Sequence, residues 1–426
     1  MYHSDDFNNQ DSSAVATATS QISTSTNINE PPATSTPDRP SEPAKITSYL
    51  KQAKSDLLAT GDLFVDIDLD KKQLQVFENG QVQKTVPVKA IAPKSSWWRT
   101  APGLYKAQTK IPKHKSSYGN VFMYWNIPFQ GNFFIHGWPE YVGSGNAATS
   151  DVSAGCIRLA KSDAKELYEE IPAGTPIIVR EKDFSPKFSY RSDANRKLAD
   201  LTSDAYLAVD LKTNEVFAAK NENQLRPLGD IAVLVTGLAM TERIGVETEM
   251  YATDQFRDDN ITKNRRLRLY DLLFPLLQDW RREPEATVAN YMERGDFVDA
   301  VAYKARAVGM GKTAVEYTDQ GVKLMASPVD LARLSEYLNT YRQFLLDITS
   351  SNEIIGLYGT PRLGRRTNSR MFPGFASFVG GAYDEKTGSA VAVFKDKTGA
   401  STPKFFAAFG SKDPLGDILT LRESTD

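Results

Sequence analysis

The stretch from Phe133 to Leu159 constrains this chain more than any other. It reads Phe133-Phe134-Ile135-His136-Gly137-Trp138, then a polar loop, then Ser153-Ala154-Gly155-Cys156-Ile157-Arg158-Leu159. Cys156 is the only cysteine in the 426 residues, so it can join neither an intrachain disulfide nor a thiolate metal cluster. The small residue and glycine before the sulfur favour backbone N–H groups that can approach a substrate oxygen. Glycine removes steric cover and tolerates unusual dihedrals.

A nucleophilic cysteine needs a base within hydrogen-bond reach, usually a histidine. The chain offers His3, His114 and His136. His3 lies in a low-complexity tail, and His114 sits among Lys113, Lys115, Ser116 and Ser117, which reads as an exposed loop. His136 follows the apolar run Phe133-Phe134-Ile135 and precedes a glycine, as the last residue of a buried strand would. By elimination His136 is the base. Taken singly, a lone cysteine is more often a small buried hydrophobe. Together with the glycines beside both residues, and Arg158 two positions after the sulfur, the pair forms a constellation that chance rarely supplies.

The pattern His136-Gly137, a loop, then Ser153-x-Gly155-Cys156-Ile157-Arg158 resembles the signature of the L,D-transpeptidase catalytic domain, the YkuD-type fold. Ala154 stands where many members have histidine. The resemblance implies that Cys156 is the nucleophile, His136 the base and the Gly137 carbonyl the group that orients the imidazole. N–H groups around Gly155 and Cys156 would hold an oxyanion. Arg158 is the candidate for a substrate carboxylate because its fork matches that group, with a structural ion pair as the alternative, and Ser153 and Trp138 are the other expected substrate contacts. Imidazolium beside the sulfur would lower the thiol pKa below its free value of about 8.5. No metal or cofactor is implied, because the histidines and the cysteine are scattered without ligand spacing.

Along the chain, residues 1–44 are rich in Ser, Thr, Asn, Ala and Pro and poor in large apolar residues, the composition of a disordered tether. A lead-in helix is expected over 45–61, from Ile46, Leu50, Ala53 and Leu57. The catalytic domain then spans 62–180. It opens with strands over Leu63–Leu69 and Gln73–Phe77, followed by an Asn79-Gly80 hairpin signal. Trp97, Trp98 and Trp138 lie beside loops that would border the cleft, and the Gly/Ser/Asn-rich loop from Trp138 to Val152 has the composition of a mobile lid. Ser162 is the expected N-cap of a helix ending near Ile171. Residues 181–195 read as a linker.

A second domain is expected over 196–414, with a C-terminal tail at 415–426. Its hairpin, Ala205–Asp210 and Glu215–Ala219, precedes a buried helix opening near Arg226-Pro227. That layout resembles the penicillin-binding, D-alanyl-D-alanine carboxypeptidase family without its chemistry. Asp230 stands at the nucleophilic serine, Val233 at the lysine, Trp280 and Arg282 at Ser-x-Asn, and Phe378-Val379-Gly380 at Lys-Thr-Gly. A literal Lys386-Thr387-Gly388 reads as the tip of a hairpin, and Gly309-Met310-Gly311-Lys312 as a helix closure rather than a phosphate loop. Without serine and lysine, acyl-enzyme chemistry has no starting point there.

The expected fold class is therefore multidomain. A mainly-β YkuD-type catalytic domain precedes an α/β (α+β) domain of the serine β-lactamase/penicillin-binding type, behind a disordered tail. The expected partners are peptidoglycan stem peptides, with other cell-wall proteins through the second domain. With 51 basic and 53 acidic residues the chain has no nucleic-acid footprint. The resemblance implies an envelope location; no signal-peptide core or long apolar run is visible, so an export segment would lie upstream or have been removed. Two rivals are a non-catalytic wall-binding scaffold and a cysteine peptidase of another fold. Papain-like enzymes place cysteine before histidine, and here the histidine comes first.

Overall fold

The computed structural model describes residues 46–425, apart from 97, 117–118, 182–187, 196–197, 199, 254–264, 312, 319–320, 352–370 and 397–400. The expected N-terminal tail, His3, Trp97 and Lys312 thus lie outside the described residues.

Helix α1 (Ile46–Thr60) leads into strands β1 (Phe64–Asp68), β2 (Gln73–Glu78), β3 (Gln81–Pro87) and β4 (Gly103–Lys106). Asn79 and Gly80 both take positive φ, 52° and 72°, which is the two-residue turn that matches strand twist. Next come β5 (Ile111–Lys115), β6 (Val121–Gln130), β7 (Phe133–Gly137), β8 (Glu140–Tyr141) and β9 (Ile157–Leu159). Helix α2 (Lys161–Glu170) and β10 (Pro176–Arg180) close the first domain. The sheets run β3-β2-β1-β10-β4 and β5-β6-β7-β9, with β8 added to β6. Helix α2 starts directly after β9 with Ala160 at its N-cap and no side-chain cap, so Ser162 lies inside the first turn rather than before it.

Every residue of β1 is buried, because the two faces of its sheet are both covered. Val65, Ile67, Leu74, Val76, Ile177 and Val179 pack with Ile127, Phe133, Ile135, Ile157 and Leu159 of the second sheet. Phe64, Phe77 and Ile178 point the other way and join the core of the second domain. Asp66 on that same face is satisfied by Arg180, at 2.7 Å from Nε, and by Lys54 of α1.

The second domain contributes β11 (Ser189–Tyr190), β12 (Ala205–Asp210), β13 (Glu215–Lys220) and β14 (Arg226–Pro227). A 3-10 turn at Gly229–Ala232 runs into α3 (Val233–Arg243), which is followed by β15 (Glu249–Tyr251) and β16 (Arg266–Arg268). Then come α4 (Leu269–Leu277), α5 (Glu283–Met292), α6 (Arg294–Ala307), β17 (Ala314–Thr318) and β18 (Gly321–Ala326). The chain ends with α7 (Pro328–Tyr341), α8 (Gln343–Ser350), β19 (Phe378–Asp384), β20 (Ser389–Phe394), β21 (Lys404–Phe409) and α9 (Pro414–Glu423). The main sheet has the order β11-β13-β12-β21-β20-β19. Ten of the residues of α3 are buried, which makes it the central helix. Helix α7 is started by a capping box, with Ser327 Oγ accepting from Asp330 N and Asp330 Oδ2 accepting from Ser327 N.

Two boundary expectations change. The described part of the expected tail, 415–425, does not trail: Ile418 and Leu421 of α9 are fully buried against Phe394 and Phe406. The segment 181–195 is not a bare linker at its described ends. The Glu181 side chain, 5 % exposed, pairs with Arg99 at 2.8 Å, and Ser189–Tyr190 adds a parallel strand to β13. An apolar stripe in α9 and two short polar anchors carry too little periodicity to stand out from a turn-rich sequence.

Candidate active site

Strands β7 and β9 lie parallel, with Ile135 opposite Ile157 and His136 opposite Arg158. Side chains alternate across a strand. Phe133 and Ile135 therefore enter the core, while Phe134 and His136 share the other face with Cys156 and Arg158. One register step back from Ile135 and Ile157, Cys156 stands beside Phe134, whose backbone hydrogen-bonds the sulfur. His136 thus lies in β7, and Cys156 immediately precedes β9, the strand that pairs parallel with it.

The turn before the sulfur is held from several sides. Gly155 has φ 128°, and an added Cβ would overlap the Phe133 ring, so only glycine fits. Thr100 Oγ1 donates to the Gly155 carbonyl. Ser153 Oγ accepts the Gly155 N–H at 3.2 Å and donates to the Cys156 carbonyl at 2.7 Å. Ser153 is thus a brace within the turn.

His136 is 1 % exposed, and its Nδ1 lies 2.6 Å from the Gly137 carbonyl. A carbonyl can only accept, so Nδ1 carries the proton and Nε2 keeps its lone pair. Burial lowers the imidazole pKa to about 4 against the Gly137 hydrogen bond, with the charges of Arg158 and His114 lowering it further. Burial likewise pushes the Cys156 thiol up to about 11, opposed by the Phe134 backbone and by Arg158. The thiol pKa is therefore raised, where sequence reasoning lowered it. Desolvation disfavours both charged forms and outweighs the local stabilisation of a thiolate. Between these values the resting pair is thiol and neutral imidazole.

Arg158 is half-buried. Its guanidinium lies 5.6 Å from the Trp138 ring centroid, and Nη1 donates to Ser150 O at 2.8 Å. Among the described residues its buried Nε has no hydrogen-bond partner. Trp138 Nε1 donates to Ala148 O at 2.9 Å.

The YkuD family profile, that of the L,D-transpeptidase catalytic domain, matches residues 62–179. This segment is an L,D-transpeptidase catalytic domain. No curated protein matches the chain in sequence. Among solved structures, penicillin-binding protein 6B from Escherichia coli is similar at 16% identity, covering 56% of this chain and 81% of that one, with a TM-score of 0.46. The D-alanyl-D-alanine carboxypeptidase from Mycobacterium tuberculosis H37Rv is similar at 16% identity, over 56% of this chain and 95% of that one, TM-score 0.45. At these values the likeness brings no chemistry to the chain.

Three further features of the L,D-transpeptidase domain escaped sequence reasoning. His114 is not in a loop: it lies on β5, paired with Met123, with its ring 5.2 Å from that of Phe134. The charges of Lys113 and Lys115 hid an edge strand whose exposed face is polar. The loop after Trp138 is not a free lid. Strand β8 pairs with β6, Glu140 bridges to Ala147, and Tyr141 Oη lies 2.9 Å from Thr149 Oγ1. Trp98 packs edge-on against Phe133 at 5.4 Å and against Phe344 of the second domain at 5.1 Å, so it joins the packing between the domains.

In the second domain, Asp230 sits in the 3-10 turn and its N–H donates to Asp384 Oδ2 at 3.0 Å. Val233 is fully buried at the start of α3. Trp280 meets Tyr383 edge-on at 4.6 Å, and Arg282 pairs with buried Glu285 at 2.9 Å. Phe378-Val379-Gly380 opens β19, and Lys386-Thr387-Gly388 lies in the turn between β19 and β20. Gly309, with φ 90°, follows the end of α6. Among the described residues no His/Cys/Asp/Glu group could hold a metal ion, and no helix is long and apolar enough to cross a membrane.

Proposed function

We propose that the chain is a peptidoglycan L,D-transpeptidase that works through a Cys156 thioester in the cell envelope. One observation carries the reading: His136 lies in β7, Cys156 immediately precedes β9, which pairs parallel with β7, and the Gly137 carbonyl holds the tautomer that leaves Nε2 as a base. Cys156 attacks the carbonyl of the third residue of a stem tetrapeptide while His136 Nε2 takes the thiol proton. Because the resting pair is neutral, the proton moves with the attack rather than before it. The tetrahedral intermediate collapses, the C–N bond to the terminal D-alanine breaks, and His136 returns the proton to the leaving amine. An amine of a second stem then attacks the thioester and regenerates the thiol, giving a cross-link. With water as acceptor the same steps give a carboxypeptidase.

The Gly155 N–H is already taken by Ser153 Oγ, so it reaches an oxyanion only if that bond opens during attack. We assign Arg158 to a substrate carboxylate, the group its planar fork suits. Trp138 lies under the guanidinium and sets its height over the sheet.

The test is intact-protein mass after incubation with disaccharide tetrapeptides, for wild type and Cys156→Ala. A transient adduct with loss of D-alanine, both absent in the variant, is expected. Dimeric muropeptides mark a transpeptidase and tripeptides alone a carboxypeptidase. A folded wild-type protein that gives neither adduct nor product overturns the reading in favour of a binding scaffold.

A further inference from the structure

We infer that Arg342, a residue of the second domain, is a positioning residue for the Cys156 turn; the inference rests on Cys156 being the nucleophile. Arg342 stands between α7 and α8 and is 1 % exposed. Its Nη1 donates to Arg99 O at 2.8 Å, across the domain boundary. Its Nη2 pairs with Glu242 of α3 at 3.0 Å. Its guanidinium lies 5.1 Å from the Trp98 ring and 5.4 Å from the Phe133 ring, both in the catalytic domain.

Those contacts converge on Gly155 from two directions. The Phe133 ring fills the space where Gly155 lacks a side chain. Thr100, the residue after Arg99, holds the Gly155 carbonyl. Arg342 therefore touches the ring on one side of the turn and the backbone of the segment on the other. The Glu242 backbone adds a grip, because its carbonyl accepts the Gly131 N–H at 2.8 Å, two residues before Phe133. A planar guanidinium can face two rings and donate in plane at once; a lysine ammonium cannot. Tertiary packing thus makes the second domain, without a serine nucleophile of its own, a fixed part of the catalytic turn.

Arg342→Lys is the test, because it keeps a positive charge for Glu242 while losing the fork. We expect kcat on disaccharide tetrapeptides to fall at least tenfold with KM within twofold. Cys156 is expected to react at least threefold faster with iodoacetamide at pH 8, because a loosened turn lets water to the thiol. Thr100→Val, which removes the hydroxyl from within the first domain, is expected to give the same pair of changes. Ile418→Ala, on the far face of the main sheet, controls for lost stability and is expected to change neither rate. Arg342→Lys that melts like Ile418→Ala and keeps wild-type kcat and alkylation overturns the inference. If wild type forms no acyl-enzyme, the catalytic reading fails. The alkylation rates then still decide whether Arg342 holds the turn.

Discussion

The His136 Nδ1 lies 2.6 Å from the carbonyl of its own neighbour, Gly137. The bond is local, so it survives any motion that leaves β7 intact. It fixes the tautomer without a carboxylate, and burial then keeps the ring neutral down to about pH 4.

That shift makes the fold acid-sensitive. The folded ring has the lower pKa, so the unfolded chain binds the extra proton between about pH 6.5 and 4 and stability falls as the pH drops through that window. The loss amounts to about 3 kcal/mol at pH 4. Urea unfolding of wild type and His136→Asn across this range checks it: the variant loses that share of the pH slope.

The raised thiol pKa predicts slow alkylation. With its pKa pushed up to about 11, Cys156 has roughly a hundredfold less thiolate at pH 8 than a thiol at its ordinary value. Higher intrinsic nucleophilicity recovers about tenfold, so iodoacetamide should react about tenfold more slowly than with an exposed cysteine. The rate should still be climbing at pH 10. A plateau near pH 7 shows instead a preformed thiolate–imidazolium pair.

Gly155→Ala should abolish turnover and destabilise the first domain. A Cβ at φ 128° is strained and overlaps the Phe133 ring, which Trp98 backs edge-on at 5.4 Å. The expected cost is about 2–4 kcal/mol, from strain and overpacking together. Denaturant midpoints measure the cost, and Phe133→Leu in the same background should recover part of it.

Glu242→Gln should cost about 3–5 kcal/mol, the usual range when one partner of a buried charge group is removed. The carboxylate is 3 % exposed and meets Lys304, Arg342 and Tyr337 Oη, the last at 2.9 Å. The charges of Lys304 and Arg342 hold its pKa below the ordinary carboxylate value against burial. The substitution leaves two cations facing each other. Thermal unfolding of the full chain checks it, and both domains should melt together.

Arg158→Gln tests the substrate carboxylate. A charged hydrogen bond is worth about 1.5–3 kcal/mol, so kcat/KM on tetrapeptide should fall roughly ten- to a hundredfold. Most of the loss should appear in KM if Arg158 binds ground and transition states alike. A loss confined to kcat shows that it acts through the Ser150 loop instead.

Several features were legible in the chain because their causes are local. Asn79-Gly80 can take the two positive φ values its turn requires, and Gly155 the φ that no other residue tolerates beside Phe133. The apolar run Phe133-Phe134-Ile135 announced a buried strand reaching His136, and β7 spans Phe133–Gly137.

Tertiary structure decided what depends on burial and on distant partners. The direction of the Cys156 pKa followed from desolvation, which no spacing records. His114 came beside Phe134 only through the pairing of β5 with β6. Trp98 became an interface residue because Phe344, far along the chain, packs against it. Glu242, Lys304 and Arg342 look like surface charges in sequence, and only their mutual burial between two domains turns them into one electrostatic unit. Local backbone preference and hydrophobic pattern act over a few residues; the field and the packing around a side chain are set by whatever the whole fold brings to it.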